Sequence, residues 1–163
     1  MIVTGGLANS GGAQKTTSIV EVFNDQVTSG PDLIVERYEH ACNTIEIGTK
    51  KYAIVVGGSN SNAGKLTSTE LLDLDQLNQG SWISGPDLPV AINQLRLVST
   101  SPTSLYSLGG EENIGRSNKV YKLNCSGTTV DTCQWVEHQT LPNARSYFVA
   151  ITLTDFWVSR LCP

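Results

Sequence analysis

Charge is scarce in this chain, and long apolar runs are missing. Only 16% of the residues are Asp, Glu, Lys or Arg, and they leave a net charge of −4. No basic stripe offsets that balance, so the long-range field does not favour nucleic acid. The longest apolar runs, such as Tyr52 to Val56, are far shorter than the ~20 residues of a membrane-spanning helix. No window of eleven residues or more carries a helical stripe. Histidine is almost absent. His40 and His138 fall at different steps of the chain's pattern, and no Ser/His/Asp order or His-x-x-x-His spacing accompanies them. No catalytic residue, metal site or cofactor is therefore expected. The segment Gly58 to Lys65 imitates a phosphate-binding loop, but it has one residue too many between its glycines and Leu66 where Ser or Thr belongs. Gly6 to Gly12 has the spacing but no lysine, and neither segment opens a helix whose dipole would hold an anion. Asp73 to Asn78 lacks the glycine and the bidentate glutamate of a calcium loop.

What is present is a repeat. Glycine pairs stand at Gly5-Gly6, Gly57-Gly58 and Gly109-Gly110, a period of 52 residues. A short apolar run precedes each pair, and a polar loop follows it. Next comes an apolar residue before Asn or Asp: Phe23-Asn24, Leu74-Asp75 and Leu123-Asn124. Then come Trp82 and Trp135, each six residues ahead of a leucine, Leu88 or Leu141. In the first repeat Val27 holds the Trp position ahead of Leu33. The intervening runs are rich in β-branched residues, as in Ser18 to Phe23, and suit strands. Many short strands with frequent turn signals predict an all-β fold. The period, at four strands per repeat, selects a β-propeller. Units of this kind bury their faces only by stacking on neighbours.

The diglycine after an apolar strand, the apolar-Asn/Asp step and the Trp-x5-Leu-Pro spacing resemble the kelch repeat. The resemblance covers essentially the whole chain. It implies a partial kelch-type propeller of four-stranded antiparallel blades. The first blade supplies strands two to four over 1–33, the second spans 38–88 and the third 93–141. A first strand of a fourth blade is expected over 146–163. Rings close with about four to eight blades, so the chain reads as part of a longer array cut at both ends. The start has neither the basic nor the apolar region of a signal peptide, which carries little weight at an internal start.

Cys125 and Cys133 flank a turn between the third and fourth strands of one blade. A hairpin brings such positions together, so a disulfide is expected there. Asn124-Cys125-Ser126 also forms an N-glycosylation sequon at Asn124. Both favour an extracellular or secreted protein, with the cytoplasm as the alternative. Cys42 reads as a small buried residue, and Cys162 has no evident partner.

Connections two-to-three and four-to-one of each blade share one face. Their charged residues include Lys15, Glu36, Arg37, Glu39, Lys65, Glu111, Glu112, Arg116 and Arg145. Loops on a rigid scaffold carry function. Arg37 and Arg145 each follow an anchor leucine by four residues. They either clamp carboxylates of a peptide or hold loop carbonyls within the fold. The expected function is a non-catalytic scaffold binding a protein or peptide. The alternatives that the resemblance implies are a fragment of a propeller enzyme similar to galactose oxidase, and a fragment of a ubiquitin-ligase substrate adaptor.

Overall fold

Apolar β-branched segments separated by Gly, Asn and Ser turns have one low-energy outcome, hydrogen-bonded ribbons that hide alternate side chains. The computed structural model, which describes residues 1–153, is all-β with every strand pair antiparallel. Among the described residues helix is confined to two single 3-10 turns, Leu74–Gln76 and Val130–Thr132.

Three sheets follow one another along the chain. The first holds β1 (Ile2–Thr4), β2 (Thr17–Glu21) and β3 (Gln26–Gly30), in that order. The second is built from β4 (Ala41–Ile47) and β5 (Lys50–Val56). After a small ribbon of β6 (Ser59–Asn60) and β7 (Gly64–Lys65), β8 (Thr69–Asp73) and β9 (Ile83–Ser84) complete it. Next in the chain come β10 (Ile92–Asn93), β11 (Arg96–Ser101), β12 (Ser104–Leu108), β13 (Glu111–Glu112), β14 (Gly115–Arg116), β15 (Lys119–Cys125) and β16 (Cys133–Thr140). The third sheet has the order β11-β12-β15-β16, and β10, β13 and β14 form a small separate ribbon. The loops after the second and third glycine pairs are thus closed hairpins, with Lys65 opposite Ser59 and Arg116 opposite Glu111.

The middle sheet is covered on both sides. Tyr52, Ala53, Ile54, Val55 and Val56 are all buried, which explains the unbroken apolar run of β5. Between the second and third sheets lies the larger core, including Ile45, Ile54, Leu71, Leu95, Leu105, Leu123 and Trp135. A smaller cluster of Leu33, Ala53, Val55, Leu72 and Trp82 joins the first sheet to the second. Trp82 and Trp135 each reach back one sheet. Trp82 Nε1 donates to Pro31 O at 2.9 Å, and Trp135 Nε1 donates to Thr69 Oγ1 at 3.2 Å. Val27, at the corresponding place in β3, is 66% exposed.

Cys125 and Cys133 are joined by a disulfide across the end of the β15–β16 hairpin, where they are register partners. The turn between them is also held by Ser126 N donating to Thr132 O at 3.1 Å. Asn124 is exposed beside the bridge. Breaking the bridge with Cys125→Ser and Cys133→Ser is expected to cost about 2–3 kcal/mol, mainly by freeing the unfolded chain. Urea denaturation of the double variant measures this. A change within about 0.5 kcal/mol would assign the hairpin's stability to its other contacts.

Cys42 departs from the expected burial. It is exposed in a cleft of ≈460 Å³ between β1 and the β4–β5 pair. Its counterpart in the third sheet, Leu97, is buried, because β4 lies alongside β11. No strand lies beside β4 on the Cys42 side among the described residues, because the first sheet begins at β1. Of the strand expected over 146–163, residues 146–153 carry no ladder pairing, and the remainder lies outside the described residues.

Candidate functional site

Three linkers, one after each sheet, are seated by the same hydrogen bonds. The second glycine of each pair donates to its linker: Gly6 N to Arg37 O at 2.8 Å, Gly58 N to Ile92 O at 2.9 Å, and Gly110 N to Arg145 O at 2.8 Å. The same linker residue donates back. Arg37 N reaches Gln14 O at 2.9 Å, Ile92 N reaches Leu66 O at 3.1 Å, and Arg145 N reaches Ser117 O at 3.0 Å. The anchor leucines complete the pattern, with Leu33, Leu88 and Leu141 N donating to Lys15, Thr67 and Asn118 O. The glycines are dictated by this seating. Gly5, Gly57 and Gly109 have φ of +65°, +62° and +48°, and a Cβ on each would lie 2.6, 2.5 and 2.8 Å from the linker carbonyl. Only glycine combines that conformation with so close an approach.

Arg37 is withdrawn from the loop face, although it was a candidate for partner contact. Its side chain is fully buried. Nη1 donates to Gly57 O at 2.8 Å and Ser68 O at 3.0 Å, while Nη2 donates to Ser68 Oγ at 2.9 Å and Glu70 Oε1 at 2.6 Å. Glu70 in turn accepts from Ile34 N and Val35 N at 2.7 and 3.0 Å. Burial pulls the Arg37 pKa down, and the Glu70 carboxylate opposes that pull. This constellation ties the first linker to the second sheet. Arg145, at the same step of the third linker, is exposed, and its Nε donates to Asn143 O as Arg37 Nε does to Val35 O.

The remaining candidates meet at the linker tips. Two residues beyond each seated carbonyl the chain turns left-handed, at Glu39, Gln94 and Tyr147, with φ of +54°, +56° and +53°. These tips converge on one carboxylate. Glu39 Oε2 accepts from Asn93 Nδ2 at 2.7 Å and Gln94 Nε2 at 3.2 Å, and Oε1 accepts from Tyr147 OH at 2.6 Å. The bond to Glu39 pushes the Tyr147 hydroxyl pKa up. Asn93 also donates to Ser59 Oγ at 2.9 Å, while Asn93 Oδ1 and Gln94 Oε1 are buried without partners. Both amide NH2 groups are drawn to the carboxylate, which leaves their oxygens turned away from it. Lys65 crosses between hairpins, donating to Glu111 Oε1 at 3.1 Å and Glu112 O at 2.7 Å. Arg116 is exposed on β14. Asn93, Gln94 and Tyr147 were not among the sequence candidates. Gln94 and Tyr147 share with Glu39 the step two residues past Ile92, Arg145 and Arg37, which was the signal available for finding them; Asn93, one residue past Ile92, carried no such signal.

The two histidines are packed apart. His40 lies against Gly5, and its Nδ1 is buried without a partner. His138, in β16, rests against the Tyr106 ring with centroids 5.6 Å apart. Burial, reinforced by the Arg37 charge, lowers the His40 pKa to about 4. The unfolded chain takes up that proton near 6.5, and the folded chain refuses it until about 4. Stability is therefore expected to fall as pH drops from 6.5 toward 4, by roughly 3 kcal/mol in total. His40→Leu borrows the residue that packs on Gly57 at the same step, Leu95. Melting curves across this window should be flatter for the variant. Equal slopes would remove His40 as the cause.

No protein-family model matches this chain, and no curated protein matches it.

Proposed function

We propose that the chain is part of a kelch-type β-propeller and acts as a non-catalytic scaffold that binds a protein or peptide through its linker face. The observation that carries this reading is the convergence of three linkers on Glu39. Asn93 and Gln94 of the second linker and Tyr147 of the third all bond it, so one polar surface is assembled from three successive units. The surface is rigid where it is bonded and charged where it is open. Glu111, Glu112 and Arg116 stand on the single β13–β14 hairpin, whose β13 pairs with Ile92 and Asn93, and Arg145 is exposed nearby in sequence to Tyr147. Preorganised polar groups on a rigid scaffold bind with little ordering cost. The non-catalytic reading draws support from the histidines, each engaged in packing and remote from the other. The disulfide and the exposed Asn124 sequon support an extracellular setting.

Panning a displayed peptide library on the 163-residue chain tests this. Enriched peptides should lose about tenfold or more in affinity on Glu111→Arg or Arg116→Glu. They should be indifferent to Lys51→Glu, at the start of β5 beside the β4–β5 turn, and to Thr103→Ala, in the β11–β12 turn. A library that yields no binders would sink the scaffold reading, and sensitivity confined to Lys51 would move the site to the other face.

A further inference from the structure

The sequence carries a single N-glycosylation sequon, Asn124-Cys125-Ser126, and the fold closes it. Each of its residues is committed to the β15–β16 hairpin. Asn124 pairs with Gln134 in the ladder, and Cys125 pairs with Cys133 and is bridged to it. Ser126 gives both of its donors to one oxygen, with N at 3.1 Å and Oγ at 3.3 Å from Thr132 O. Thr132 is fixed in turn. Its N and Oγ1 donate to Thr129 O at 3.1 and 2.6 Å, and its Oγ1 accepts from Gly127 N at 3.1 Å. The turn is also seated on the second sheet, where a Cβ on Gly48 would lie 2.6 Å from Thr128 O. Asn124 itself is exposed, so the finished fold has room for a glycan there.

Room for the product is not access for the reaction. The hydroxyl residue of a sequon is part of what the transferase grips, so Asn124 and Ser126 must be presented together, with their backbone free of a partner strand. The end of a hairpin opens locally at low cost. A bond between Cys125 and Cys133 removes that freedom, because it holds the middle residue of the sequon against β16 however the ladder frays. We propose that Asn124 accepts an N-glycan only while Cys125 and Cys133 are thiols, and that closure of the bridge ends its competence. The donor is an oligosaccharide linked to a lipid pyrophosphate. Asn124 Nδ2 bonds to the anomeric carbon and loses one proton, the bond from that carbon to the phosphate oxygen breaks, and the lipid pyrophosphate leaves. Bridge closure is a separate reaction, in which the two thiols give two electrons and two protons to a disulfide that exchanges with them. The bridge blocks the glycan, whereas the glycan, on an exposed side chain, does not block the bridge. Disulfides form in seconds to hours depending on the oxidant, so redox conditions set the fraction of chains that are glycosylated. Occurrence in a cell rests on the extracellular reading; the closing of the sequon by the hairpin does not.

Translation of the 163-residue chain behind a cleavable signal sequence, in the presence of rough microsomes, tests this. With one sequon, modification reads as a single endoglycosidase-sensitive shift on a gel, lost in Asn124→Gln. Under oxidised glutathione the unsubstituted chain is expected to stay partly unshifted, while Cys133→Ser, whose sequon is intact, shifts almost completely. Dithiothreitol should bring the unsubstituted chain up to the variant and leave the variant where it was. Arg37→Ala separates the bridge from general unfolding, because it weakens the fold at a distance and keeps both cysteines; its shift should match that of the unsubstituted chain. Purified bridged protein offered transferase and lipid-linked donor should remain unmodified, and the same protein reduced and alkylated should be modified. Equal occupancy in the unsubstituted chain and Cys133→Ser, high or low, overturns the proposal. So does modification of the bridged protein, or an Arg37→Ala chain shifted as fully as Cys133→Ser. Failure of the extracellular reading is a different result, free thiols at Cys125 and Cys133 in protein taken from its own compartment.

Discussion

Arg37→Ala is expected to destabilise the fold by about 3–5 kcal/mol, the cost of stripping one partner from a buried ion pair. The change leaves the Glu70 carboxylate buried with two backbone N–H donors and no cation. It also removes donors from Gly57 O, Ser68 O and Ser68 Oγ, and opens a void the size of a guanidinium. Lysine is a poor substitute, because a single ammonium cannot reproduce the fork that serves Glu70 and two carbonyls together. Glu70→Ala should be similarly damaging through the uncompensated arginine. The double variant should cost clearly less than the two single changes added together, since neither charge is then left alone. Urea unfolding of the three variants decides the matter. An Arg37→Ala protein with an unchanged midpoint would return this side chain to the candidates for partner contact.

The contrast between Arg37 and Arg145 marks where sequence reading stops. The two share a step in the repeat, and on that ground they read alike. What separates them is the unit that follows. Arg37 is overlaid on the second sheet, whose β8 presents Ser68 nearby and Glu70, whereas the residue that Arg145 would meet is not supplied by the described part of its own chain. A repeat period predicts a backbone position, and the glycine pairs, Trp82 and Trp135 and the Cys125–Cys133 hairpin were legible because backbone position settles them. Burial depends on the neighbour. Cys42 was expected inside because its strand is a first strand, and it is exposed because, among the described residues, no strand of the first sheet covers it. Asn93, Gln94 and Tyr147 escaped notice for a related reason. A polar residue acquires a role from the carboxylate it faces, and Glu39 lies more than fifty residues away in sequence from Gln94.

Trp135→Ala is expected to cost about 3–5 kcal/mol, the usual range for emptying a large aromatic site in a core. Trp135 is 5% exposed in the larger core, between Leu123 and the second sheet, and its Nε1 donates to the buried Thr69 hydroxyl. The lost burial, the cavity and an unsatisfied hydroxyl act in the same direction. Trp82→Ala should fall in the same range by a different route, since it removes the largest member of the small cluster that docks the first sheet. The informative comparison is Val27, which holds the same step and is 66% exposed. Val27→Ala should stay within about 0.5 kcal/mol, because it removes little buried surface and leaves no cavity. The step in the repeat is therefore worth several kcal/mol in the second and third units and almost nothing in the first. Denaturation midpoints of the three variants measure this directly. Hydrogen exchange of the parent chain should then find β1 to β3 the least protected sheet, because its docking cluster is smaller and its edge is open. A Val27→Ala variant as damaged as Trp135→Ala, or a first sheet protected as well as the middle one, would contradict this ordering of the three units.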